Sequence, residues 1–137
     1  MEPPGRAARS YEAELVEFFP REEESFDLII LGLGGDGHTA SLFPGSPALG
    51  PVKRRVAAVR APRGVLPPRR ITLTLSEINR SAQALFLVSG PDKAQALDLI
   101  LSAPQEAGRK YPAASVRARQ RLLWFVSTRN EPGDERK

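Results

Sequence analysis

The feature that most constrains the fold is a short, nearly continuous apolar run, Phe26-Asp27-Leu28-Ile29-Ile30-Leu31, that leads directly into Gly32-Leu33-Gly34-Gly35-Asp36-Gly37. The run is too short for a buried helix and stops at glycines, so it predicts a buried parallel strand followed by a glycine-rich turn. Val56–Val59, Ile71–Leu75, Ala84–Ser89 and Leu122–Ser127 repeat the strand pattern. Ala8, Tyr11, Leu15, Phe18 and Phe19 recur at helical spacing, with Ser10 placed to cap the first turn. Pro91–Ser102 predicts a second helix, with Pro91 in its first turn and Ala94, Leu97 and Leu101 on one face. His38–Phe43 allows one or two helical turns before Pro44, and Ser76 can cap a short helical piece. Ala61–Arg70 and Pro104–Pro112 read as connections. Strands alternating with helices, several apolar on both faces, predict one α/β domain, a mostly parallel sheet with flanking helices. In such sheets ligands sit beyond the carboxyl ends of the strands, which places Gly32–His38 and Gly90–Lys93 at one rim.

The 137 residues suit a single domain that buries roughly two-thirds of its unfolded surface. With 41% hydrophobic and 26% charged residues, disordered and fibrous classes are excluded. No apolar run reaches the roughly 20 residues of a bilayer span, and Glu2, Glu12, Glu14 and Glu17 leave no room for a secretory core, so no membrane role is expected. The absence of cysteine excludes disulfides, thiolate metal sites and a cysteine nucleophile, and is compatible with a cytoplasmic protein. Basic residues outnumber acidic ones by 20 to 16, and sixteen of the twenty are arginine. Lys53–Arg55 and the alternating Arg117, Arg119 and Arg121 lack the interleaved aromatics of a stacking platform, so nucleic acid is not expected as a partner. With one histidine in the chain, only His38 can do imidazole chemistry.

The glycine turn admits several readings. Gly32–Gly37 satisfies the G-x-G-x-x-G pattern of a dinucleotide site. Against it, Pro44 cuts the following helix, and the next strand ends in Val59-Arg60 with no carboxylate for a ribose, although an arginine there would suit a 2′-phosphate. Asp36 and His38 form a thin metal-ligand set, with no second histidine and no cysteine. The glycines can simply permit a tight turn around a satisfied histidine. The fourth reading takes the same turn as an oxyanion site: His38 lies beside a carboxylate among backbone N–H groups freed by glycines, a setting that can hold a general base next to a bound anion.

The segment Phe26–Leu49, FDLIILGLGGDGHTASLFPGSPAL, resembles the signature of the 6-phosphogluconolactonases of the wider glucosamine-6-phosphate isomerase superfamily. The resemblance continues through Pro67–Leu75, Asn79, Leu87–Leu97, Pro112–Val116 and Leu123–Phe125. The DGHTASLFP string favours the lactonase branch over the isomerase branch. The resemblance implies metal-free and cofactor-free hydrolysis of 6-phospho-glucono-1,5-lactone to 6-phosphogluconate in the pentose phosphate pathway. It makes His38 the general base and Asp36 the carboxylate that orients it. The turn amides around Gly34 and Gly35 are the candidates for stabilising the developing oxyanion, and Gly37 joins them as a substrate-binding position. Arg70 and Lys93 align with positions that hold the sugar phosphate, with Arg69 the alternative to Arg70. Asp92 beside Lys93 can also account for that cation, and Thr39 and Ser41 can cap or back-bond the short helix.

The resemblance also has an edge. Family members are nearly twice this length, and their first half supplies further strands, a phosphate loop and a D-E-R-x-V-P segment. Asp134-Glu135-Arg136 lies at the wrong end to be that segment, and Ser127 stands where the lactonases commonly carry Asp. The chain is therefore expected to correspond to a C-terminal half with a frayed tail at 128–137, an exposed strand edge and an exposed apolar sheet face. Weak activity alone, and a homodimer or an N-terminal partner covering the edge, follow as expectations. A non-catalytic sugar-phosphate binding or regulatory module is the alternative.

Overall fold

The computed structural model describes residues 3–127. The elements run α1 Pro4–Phe18, β1 Leu28–Gly32, β2 Val56–Arg60, β3 Arg69–Leu73, α2 Leu75–Arg80, β4 Gln83–Ser89, α3 Ala94–Ser102, α4 Pro104–Lys110 and β5 Arg121–Ser127. Strands β1, β4 and β5 form a parallel sheet in that order. β2 and β3 form a separate antiparallel pair. The α/β class and the parallel main sheet are as the sequence predicts.

The register explains the core. Ile29, Ala84 and Leu122 lie abreast, as do Leu31, Phe86 and Trp124, so their side chains share one face of the sheet. That face packs on Ile78 of α2, Ala96 and Ile100 of α3, Ala107 of α4, and Val116. Phe86 is fully buried, and its ring stacks on Trp124 with centroids 3.9 Å apart and planes 4° off parallel. The opposite face carries Leu28, Ile30, Leu87 and Phe125, which are 49%, 60%, 53% and 59% exposed. Among the described residues β1 pairs only with β4, so its other edge is open. The expected open edge and bare apolar face are both present.

Several local expectations are corrected. His38–Phe43 is not helical: Thr39 bridges to Leu42, and Ala40 takes a positive φ of 50°. The Thr39 hydroxyl donates to Gly32 O at 2.8 Å and the Leu42 N–H to Thr39 O at 2.9 Å, so these groups are spent on a tight turn. Pro104–Pro112 is not a plain connection but contains α4, with a proline in its first turn and Ala107 buried. The helix expected at Pro91–Ser102 begins as a 3-10 turn over Pro91–Lys93, and α3 buries Ala96 and Ile100 while Leu101 is exposed. β3 ends at Leu73 because Thr74 leaves the strand to cap α2, accepting the Glu77 N–H, and Ser76 lies inside that helix. Ser10 is likewise inside α1, which starts at Pro4. The tail expected at 128–137 lies outside the described residues.

Two ionic knots fasten α1 and the β2–β3 pair to the rest. Glu12 accepts from Arg54 Nε at 3.0 Å, Arg54 Nη2 at 2.8 Å, Arg55 N at 2.6 Å and Val56 N at 3.4 Å. Partial burial pushes the Glu12 carboxyl up, but the Arg54 side chain and the Arg55 and Val56 amides outweigh it and hold it below 4.5. Deeper, Arg55 Nη1 lies 3.2 Å from Glu77 Oε1, which also accepts the Ser25 hydroxyl at 2.7 Å. Glu77 is 1% exposed, and its Oε2 accepts no hydrogen bond among the described residues.

Removing one partner of this buried pair strands the other charge. Glu77→Ala is expected to lower the unfolding free energy by about 3–5 kcal/mol in urea melts, and Arg55→Met with Glu77→Leu together by less. The Glu12 contribution is present above its unfolded pKa and is lost as pH falls through the lower folded value. Glu12→Gln should therefore cost about 1–2 kcal/mol at neutral pH and close to nothing once the pH lies well below the lowered folded value.

Candidate active site

Because β1 and β4 run parallel in register, their carboxyl ends open on one rim. The turn after β1 folds on itself. Gly34 donates its N–H to His38 O at 2.8 Å, and Gly37 donates to Gly34 O at 2.9 Å. Asp36 Oδ1 accepts the His38 backbone N–H at 3.0 Å and lies 2.5 Å from His38 Nδ1. Burial raises the Asp36 carboxyl, but the His38 backbone N–H and imidazole outweigh that and hold it below its ordinary range. The His38 side chain is 29% exposed, so its ring reaches solvent from a supported position.

Two glycines are required by space. A Cβ on Gly34 would overlap His38 Nδ1 and stand 2.8 Å from Asp36 Oδ1. Gly37 has φ +77°, and a Cβ there would run into the Tyr111 ring. The Ala113 N–H donates to Gly37 O at 3.0 Å, so the segment after α4 clamps the turn from behind. Gly35 lets the loop after β4 approach, since a Cβ would sit 3.1 Å from Asp92 O.

Arg70 and Arg69 take opposite faces of β3. Arg69 is exposed and stands across from Arg60. Arg70 lies with its Cζ 5.6 Å from the centre of the Phe43 ring, while the His38 ring centroid lies 4.8 Å from the same ring. Arg70 Nε donates to Pro67 O at 3.0 Å and Nη2 to Leu66 O at 2.7 Å, which orients the guanidinium and leaves its Nη1 donors without an acceptor among the described residues. Lys93 is tied to the group only through its loop: its ammonium pairs with Asp92, and the Gly35–Asp92 approach joins that loop to the turn.

The structure thus brings Asp36, His38 and the glycines together, and joins Arg70 to them through Phe43. Of the Gly34 and Gly35 amides expected to face an oxyanion, that of Gly34 is bonded inside the turn, as is the Gly37 amide. The Gly35 N–H has no acceptor among the described residues. Phe43, the Leu66 and Pro67 carbonyls and Tyr111 are the contributors that sequence reading missed. Phe43 had a signal, because it stands inside the DGHTASLFP string. Thr39 and Ser41 serve the turn, through Gly32 O and through Thr72 Oγ1, which accepts the Ser41 N–H at 3.2 Å. Among the described residues no group of three or more His, Asp or Glu side chains is set to hold a metal, and no helix is long and apolar enough to cross a membrane.

Comparison with known proteins places this geometry. The family model described as glucosamine-6-phosphate isomerases/6-phosphogluconolactonase matches residues 1–124. A 6-phosphogluconolactonase of Synechocystis is 43% identical over 126 residues, covering 90% of this chain and 50% of that protein. The Homo sapiens 6-phosphogluconolactonase is 39% identical, covering 90% and 48%. The crystal structure of 6-phosphogluconolactonase from Thermotoga maritima superposes with a TM-score of 0.74 at 35% identity, over 91% of this chain and 52% of that one. The chain spans about half the length of the curated relatives it matches. The family match over residues 1–124, with relatives that match about 90% of the chain and share its fold, puts the chain in the glucosamine-6-phosphate isomerase/6-phosphogluconolactonase family.

Proposed function

We propose that this chain carries the hydrolytic half of a 6-phosphogluconolactonase site, acting on 6-phospho-glucono-1,5-lactone. The observation that carries the reading is the 2.5 Å approach of Asp36 Oδ1 to His38 Nδ1, at the open rim of the sheet and beside Arg70. A carboxylate on Nδ1 favours the tautomer with its proton there, which leaves the Nε2 lone pair to accept a proton from water. The water oxygen bonds to the lactone carbonyl carbon as its proton passes to Nε2. The Gly35 N–H is the turn donor left to stabilise the resulting oxyanion. Collapse of the intermediate breaks the bond from that carbon to the ring oxygen, which takes the proton back from His38. Arg70, oriented by two carbonyls, offers its remaining donors to the phosphate, and Lys93 adds a second cation when phosphate competes with Asp92.

The bare sheet face and the open edge of β1 fit a site completed by a further segment, a partner chain or a second copy. The isolated chain is accordingly expected to turn over slowly. A sugar-phosphate module that binds without turnover is the second reading, favoured by the same exposed face.

Lactone hydrolysis above the spontaneous rate, followed with the product assayed by calorimetry, tests both. His38→Ala is expected to remove about 10²–10⁴-fold of the catalysed rate, while Arg70→Gln chiefly raises KM. A His38→Ala rate equal to wild type would falsify the lactonase reading, and product binding with no turnover would favour the module. Gly34→Ala should displace the imidazole and lower the rate about 10²-fold in a chain that stays folded, with shifted resonances of the single histidine.

A further inference from the structure

Phe43 is 3% exposed, yet it belongs to neither hydrophobic cluster of the chain. A buried aromatic side chain ordinarily packs into a core. Here its ring is approached by the His38 ring, with centroids 4.8 Å apart and planes 40° off parallel, and by the Arg70 guanidinium at 5.6 Å. The imidazole and the guanidinium therefore both rest on one rigid ring. Their backbones are otherwise tied to different elements, His38 to the turn after β1 and Arg70 to β3.

We infer that Phe43 is a positioning residue that sets the span between the imidazole and the guanidinium, and so selects ligands whose phosphate and carbonyl carbon are separated by that span. This rests on the reading that Arg70 takes the phosphate and His38 the carbonyl end. The physical reason is that a two-point ligand gains from a fixed spacing, whereas a one-point ligand does not. The ring attracts the guanidinium by its π face and limits the imidazole by contact, so one side chain restrains both. A branched aliphatic residue of similar polarity would fill much of the same space without offering that flat surface.

The test compares 6-phosphogluconate, which reaches both groups, with inorganic phosphate, which reaches Arg70 alone, on the full chain by calorimetry. The ring resonances of the single histidine report engagement of His38. The wild-type chain is expected to bind 6-phosphogluconate more tightly than phosphate. Phe43→Leu should shrink that preference by at least about tenfold while changing phosphate affinity less than about twofold, and Phe43→Tyr, which keeps the ring, should restore the preference. Unchanged preference in Phe43→Leu overturns the inference, as does equal loss of both ligands in Phe43→Leu and Phe43→Tyr. A wild-type chain that binds both ligands equally, or neither, overturns the two-point reading of the site together with this one.

Discussion

The parallel pairing of β1 with β4 is the constraint on which the rest depends. It sets Leu31 against Phe86 and Gly32 against Leu87, and so brings the carboxyl ends of two strands to the same level. The turn that follows β1 and the loop that follows β4 then meet, so closely that a Cβ on Gly35 would sit 3.1 Å from Asp92 O. A one-residue slip would turn Ile29 and Leu31 outward and Leu28 and Ile30 inward. The site and the core thus share one register, and the hydrophobic stacking of Phe86 on Trp124 stabilises the geometry that positions His38.

Charge is distributed by depth. At the rim, Asp36 and His38 bond each other while both reach water, so the pair keeps its chemistry without the large desolvation of a buried ion. In the interior, Arg55 and Glu77 are almost wholly removed from solvent and hold the start of β2, the end of the α1 connection and α2 together through Ser25 and Glu24 O. The first pair stands in reach of solvent, whereas the second is a joint in which Glu77 Oε2 accepts no hydrogen bond among the described residues and has Arg80 Nε 3.9 Å away.

The sheet has one finished face and one bare one. Leu28, Ile30, Leu87 and Phe125 form a larger apolar surface than scattered exposed residues would make, and it adjoins the open edge of β1. Relatives that match nearly all of this chain are about twice as long. The turn beside this sheet is closed by its own hydrogen bonds and clamped by Tyr111 and Ala113, so its geometry does not depend on how that face is covered.

The strand ending in glycines, the α/β class, the two loops on one rim and the placing of His38 beside the Asp36 carboxylate were all legible, because each rests on local pattern: apolar runs of strand length, glycine where side chains cannot fit, one imidazole in the whole chain. The turn at His38–Phe43 was misread because its letters suit a helix, while a hydroxyl bond from Thr39 to Gly32 O and the Asp36 carboxylate decide otherwise. The choice between Arg70 and Arg69 was open in one dimension, and the pleat of β3 separates them by sending neighbours to opposite faces. The spending of the Gly34 and Gly37 amides inside the turn, the pairing of Lys93 with Asp92, and the place of Phe43 between the imidazole and the arginine belong to tertiary structure alone. Sequence determines which groups are present and how far apart they lie along the chain. Which of them face each other, and which are already bonded, is set only when separate segments pack, since hydrogen bonds and ring contacts depend on distances that no spacing in the sequence specifies.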